Sequence, residues 1–145
     1  MNRSVKYDED FYEWGMREAN LLRNHQFNDL DIQNLAEEIE ALSKREYREI
    51  CNRLAVLICH LLKWQFQPKY RTKSWEDTLF DQRNNIGYLL EDSPSLLEKA
   101  ILALPKSYKK AGVFFEKDTS ISGKLLPEEC PYTWEQIMNN DFYPE

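Results

Sequence analysis

"DIQNLAEEIEALSKREYREICNRLAVLICHLLKWQFQP", residues 31–68, is the stretch whose reading decides the fold. Its apolar and aromatic positions, Leu35, Ile39, Leu42, Tyr47, Ile50, Leu54, Leu57 and Leu61, recur at mostly three- and four-residue steps, the spacing that places side chains on one face of an α-helix. Asp31 stands where an N-cap is needed, with Leu30 and Leu35 in the staple positions around it. Pro68 closes the run, since its ring removes a donor and clashes with the preceding turn. One long amphipathic helix is expected. The single step of five, from Leu42 to Tyr47, shifts the apolar seam, so a bend or a change of packing partner is expected there.

Working outward, Tyr7-Asp8 reads as the start of a first helix, Asp8 capping and Tyr7 stapling onto Tyr12, that continues through Phe11, Trp14, Glu18, Leu21 and Leu22 and ends near "RNHQFND". "SWED" opens a third helix at Ser74, with Trp75, Leu79, Gln82, Ile86 and Leu89 in one stripe. "DSPSLLE" opens a fourth, capped by Ser93 or by a Ser95/Glu98 box, running through Leu97, Ile101, Leu104, Tyr108, Ala111 and Phe115 with a kink at Pro105. "DTSISGKLLPEECP" is a loop, Thr133 with Gln136 caps a short last helix, and "DFYPE" is an aromatic tail expected to pack back. Four helices with short connections predict an all-α, up-down four-helix bundle with a short appended C-terminal helix, formed by residues 1–145 as a single domain.

Composition agrees with that class. The 145 residues are 42% hydrophobic with only four glycines, which departs from disordered chains and from turn-rich β folds. No run approaches the roughly 20 apolar residues of a membrane span, and "MNRSVKYDEDFYEW" lacks a leader's apolar region, so no membrane association and a cytoplasmic location are expected. Cys51, Cys59 and Cys130 form no CxxC pair and are odd in number, against both a disulfide framework and a zinc knuckle. Residues 1–43 hold four basic and ten acidic side chains, residues 44–73 eight and two, and residues 74–145 seven and thirteen, so a segment of +6 lies between two of −6. Mutual compensation is the simplest use of that pattern, and an anion-binding face is the alternative.

The candidate chemistry centres on "ICHLLKWQFQP", residues 58–68. The positions three and four away from His60 are Leu57, Lys63, Val56 and Trp64, none of them a usual metal ligand. Counting from the loop near residue 70 sets His60 level with Gln82 and near Tyr108, which predicts a structural hydrogen-bond layer. The catalytic alternative makes His60 a general acid or base, with Lys63 and Arg83 stabilising charge at an anion pocket. The same counting sets Glu18 level with Glu38, either as a carboxylate pair with one raised pKa, suited to acid/base work or a bridging cation, or neutralised by Arg17 and Arg45. Lys69, Arg71 and Lys73 interleave with Trp64, Phe66, Tyr70 and Trp75, a weak likeness to single-strand nucleic-acid surfaces. No cofactor and no metal site is expected.

"DEDFYEW", "NLAEEIEAL", "HLLKWQFQP", "SW", "QR", "SPSL", "CPYT" and "DFYPE", in that order over nearly the whole chain, resemble domain-of-unknown-function family 29, small helical proteins abundant in cyanobacteria. The resemblance implies an all-helical, cytosolic domain and brings no activity, cofactor or catalytic residue; Pro105 departs from the pattern. With no nucleophile-base arrangement, glycine-rich phosphate loop or metal spacing, the leading expectation is a non-enzymatic module contacting another protein through its aromatic tail or basic loop. The rival is an enzyme or binding protein acting on RNA or a phosphorylated ligand through His60 and the basic 63–83 region.

Overall fold

A computed structural model describes residues 7–145; residues 1–6, part of the amino-terminal stretch read above for leader character, lie outside the described residues. The described residues form helices joined by loops, with no strand among them: α1 (Phe11–Arg23), α2 (Ile32–Phe66), α3 (Lys73–Asp92), α4 (Leu96–Leu102), α5 (Leu104–Thr119) and the short α6 (Trp134–Met138), with 3-10 turns at Phe27–Asp29, Pro68–Tyr70 and Gly123–Leu125. The all-α helical bundle expected from the periodicity is what the chain forms. It divides into two compact units, one up to Arg45 and one spanning Glu46–Glu145. That division falls inside the five-residue step between Leu42 and Tyr47, where a bend or a change of packing partner is expected.

The first unit contains α1 and the beginning of α2. Asp10, rather than Asp8, caps α1 by accepting from the Glu13 N–H. Tyr7 packs on Trp14 and Phe11, at ring separations of 4.6 and 5.8 Å, while Tyr12 is 76% exposed. The staple therefore closes on the tryptophan, the larger apolar surface. At the other end His25 adopts φ 58°, and the Gln26 and His25 N–H groups return to Leu21 and Leu22 O. This is the helix stop in which a left-handed residue satisfies otherwise orphaned carbonyls, here with histidine where glycine is commonest.

The second unit is built on the remainder of α2. Ile50, Leu54, Leu57, Ile58, Leu61 and Leu62 are completely buried and share a core with Leu79 and Ile86 of α3, Ala100 of α4, Ala111 and Phe115 of α5, and Ile137 of α6. Thr72 caps α3 two residues before the expected Ser74, accepting from the Trp75 N–H. Ser93 does not start the next helix: its N–H ends α3 on Leu89 O and its hydroxyl donates to the Glu46 carboxylate at 2.7 Å. The expected kink is a break at Ala103, and Pro105 sits in the first turn of α5, where its missing N–H costs nothing. Thr133 and Gln136 form the expected capping box of α6. The loop after α5 returns closely enough that a Cβ on Gly123 would stand 3.4 Å from Gly112 O.

Candidate functional site

His60 and Lys63 lie one turn apart near the C-terminal end of α2. The Nδ1–H of His60 donates to Val56 O, one turn back on its own helix, at 2.9 Å. The expected His60–Gln82 layer is therefore not what forms: Gln82 accepts from Arg53, and the Tyr108 hydroxyl donates to Pro127 O. A backbone carbonyl four residues back is always within reach of a helical side chain, whereas a bond across helices needs both rotamers to agree. Burial holds the His60 pKa below the ordinary histidine value, against the opposing pull of the Val56 bond, so its neutral form is favoured. Lys63 is 8% exposed, with its ammonium 2.7 Å from Asp118 and 5.8 Å from the centre of the Trp75 ring. Next to it, burial pushes the Cys59 thiol up to about 12, the environment of an inert cysteine.

Arg83 is also committed. Only 3% exposed, it donates through Nε to Ile137 O at 2.7 Å and through Nη2 to Phe142 O at 3.0 Å and Gln136 O at 3.4 Å. The guanidinium thus holds the last carbonyls of α6 and the aromatic tail, which does pack back: Tyr143 lies 4.8 Å from Trp64, and Tyr132 donates to Gln65 at 2.6 Å. Among the three loop cations, Arg71 lies over Trp64 and donates to its carbonyl, Lys73 pairs with Asp77 at 3.3 Å, and Lys69 is exposed.

In the first unit Glu18 is 1% exposed and accepts the Asp31 N–H at 2.5 Å, a carboxylate placed at the positive end of α2. Trp14 Nε1–H and the Asn34 amide both donate to Asp31 Oδ2, at 3.0 and 2.8 Å. Glu38 accepts instead from the Tyr7 hydroxyl and pushes that phenol up to about 12. The two carboxylates read as a pair therefore take separate partners. Buried Glu18 Oε2 and Arg17 Nη1 have no hydrogen-bond partner among the described residues.

Two features escaped the sequence reading. Ile39 and Leu42, expected in a core-facing stripe, are 62% and 57% exposed, and Ile32 on the same stripe is 68% exposed. Periodicity announces an apolar face but not whether the chain itself covers it. The second feature is a basic cleft where Tyr47, Arg48 and Asn52 of α2 meet Lys106, Ser107 and Lys110 of α5. Arg48 lies some sixty residues from Lys106 and Lys110 in sequence and all three are outside the loop that carried the charge signal, and counting from the loops set residues 104–108 level with His60, so no sequence signal pairs them. Among the described residues no helix is long and apolar enough to cross a membrane, and no three of His, Cys, Asp and Glu gather as a metal site.

Residues 6–143 match the family model described as "Domain of unknown function DUF29". No curated protein and no solved structure matches the chain.

Proposed function

The chain belongs to the DUF29 family, and from that premise we propose that it is a non-enzymatic protein-interaction module that docks a partner helix on the exposed stripe of α2. The observation that carries this reading is the exposure of Ile32, Ile39 and Leu42, which continue the buried seam of the same helix into solvent. A second copy of α2 laid antiparallel presents the same apolar stripe, so the pairing is isologous and self-complementary.

Each Ile or Leu fully removed from water contributes about 1.5–3 kcal/mol. Six such side chains, each only 57–68% exposed at the outset, gain correspondingly less across a two-fold axis and stand against an association cost of roughly 4–15 kcal/mol, so the dimer is weak and reversible. The groups of the rival reading support it less: Lys63 and Arg83 are held by Asp118 and by backbone carbonyls, and His60 by its own helix.

Sedimentation equilibrium of the whole chain tests the proposal. Dimer is expected to appear by roughly 100 μM chain and to vanish in the variant Ile39→Asp/Leu42→Asp with its helicity retained. A wild type that stays monomeric at about 1 mM overturns the proposal.

A further inference from the structure

Within the second unit, α2 and α5 border a cleft of about 280 Å³ whose walls carry Arg48, Asn52, Lys106, Ser107 and Lys110. No carboxylate lines it, and none of its three cations forms an ion pair among the described residues. Like charges gathered without a counter-ion repel one another, a cost that a bound anion removes. The remaining polar groups also suit an anion. Lys110 donates to Asn52 Oδ1, which leaves the Asn52 amide N–H groups to offer.

Ser107 supplies the second, independent observation. It is 3% exposed, yet its hydroxyl has no hydrogen-bond partner, although a helical serine can ordinarily bond back to the carbonyl four residues earlier. That carbonyl, Ala103 O, already takes the Ser107 N–H. A buried hydroxyl without a partner is uncommon and calls for an explanation. Lys106 and Ser107 also stand in the first turn of the sixteen-residue α5, where the helix dipole adds positive potential.

We propose that this cleft binds the phosphate group of a small phosphate monoester. Three cations with hydroxyl and amide donors match a dianion with several acceptor oxygens better than a monoanionic diester or a carboxylate. The volume admits a phosphoryl group with a small organic body, below the usual range for larger ligands.

Calorimetric titration of the whole chain with glycerol phosphate tests the assignment, with glycerol, dimethyl phosphate and a phosphoserine peptide as comparison probes. Saturable binding of glycerol phosphate is expected, about tenfold weaker in Lys106→Gln or Lys110→Gln, each of which removes a charge-assisted bond. Dimethyl phosphate should bind at least as much more weakly, and glycerol not at all. Lowering the pH from 7.5 to 5.5 should weaken binding several-fold, because the monoester loses its second charge near pH 6. Ser107→Ala separates binding from folding: removing an unpaired buried hydroxyl should raise the melting temperature of the free protein while weakening glycerol phosphate several-fold. Absence of saturation by about 10 mM, or equal affinity in all three variants, overturns the proposal. Tighter binding of the phosphoserine peptide overturns the small-molecule assignment.

Discussion

The imidazole of His60 spends its Nδ1 proton on Val56 O, and burial keeps its folded pKa below the ordinary value near 6.5. The sign of the linkage follows. As pH falls through 6.5 the unfolded chain takes up the proton before the folded one, so stability that is fully present above that value is lost on the way down to the folded pKa. His60→Gln retains an amide N–H that can donate to Val56. It is therefore expected to keep stability at pH 7.5 within about 0.5 kcal/mol and to show a shallower loss between pH 6.5 and 5. Urea unfolding of both proteins across that range measures the difference, and parallel curves would contradict it. Ser120, at φ 61° after α5, is the complementary case of backbone cost. Ser120→Gly should relieve about 1 kcal/mol of left-handed strain, less the added entropy of the unfolded glycine, and raise the melting temperature by about 1–2 °C. The placement of His60 on a helix was legible from spacing alone. Its partner was not, because spacing fixes which residues share a face and leaves the rotamer free to choose the nearer carbonyl.

At the level of elements, two charged side chains hold helix ends in place. Arg83 satisfies carbonyls of Gln136, Ile137 and Phe142 from a buried position. Arg83→Met keeps much of the stem's packing and removes every donor. The expected cost is about 3 kcal/mol from stranded carbonyls, with faster proteolysis confined to residues 132–145. Limited proteolysis with mass mapping distinguishes this from general unfolding. Glu18 acts at the opposite polarity, on the Asp31 N–H at the start of α2. Glu18→Gln preserves an acceptor there and should be mild, whereas Glu18→Leu leaves that donor unmet and should cost about 1–3 kcal/mol, read from denaturant unfolding. Most helices and their order were legible from periodicity and proline positions, although the one expected fourth helix is two, α4 and α5, and starts were displaced by about two residues wherever two capping side chains competed. Asp10 prevailed over Asp8 and Thr72 over Ser74, since a cap is chosen by where the flanking chain can be extended and packed. The Arg83 lock was hidden because its acceptors are backbone atoms, which carry no sequence signal.

For the whole molecule, burial is unequal between the two units. In the first, the buried side chains of α1 are Trp14, Glu18 and Leu21, and one of these is a carboxylate. In the second, helices contribute to a continuous core centred on Ile50, Leu54, Ile58, Leu61 and Phe115. Opening free energy follows buried apolar contact, so the units should not open together. Amides of α1 are expected to exchange with deuterium through openings at least about 2 kcal/mol easier than those of residues 50–62. Exchange measured by mass spectrometry at low micromolar chain concentration would show protection falling along α2 toward its N-terminus, with the change near residues 42–47 where the apolar seam steps. If a second copy covers Ile32, Ile39 and Leu42, raising the concentration should restore protection in the first part of α2 and leave residues 50–62 unchanged, because mass action stabilises only what the partner touches. Uniform protection along α2 at every concentration would show that the seam step does not separate cooperative units.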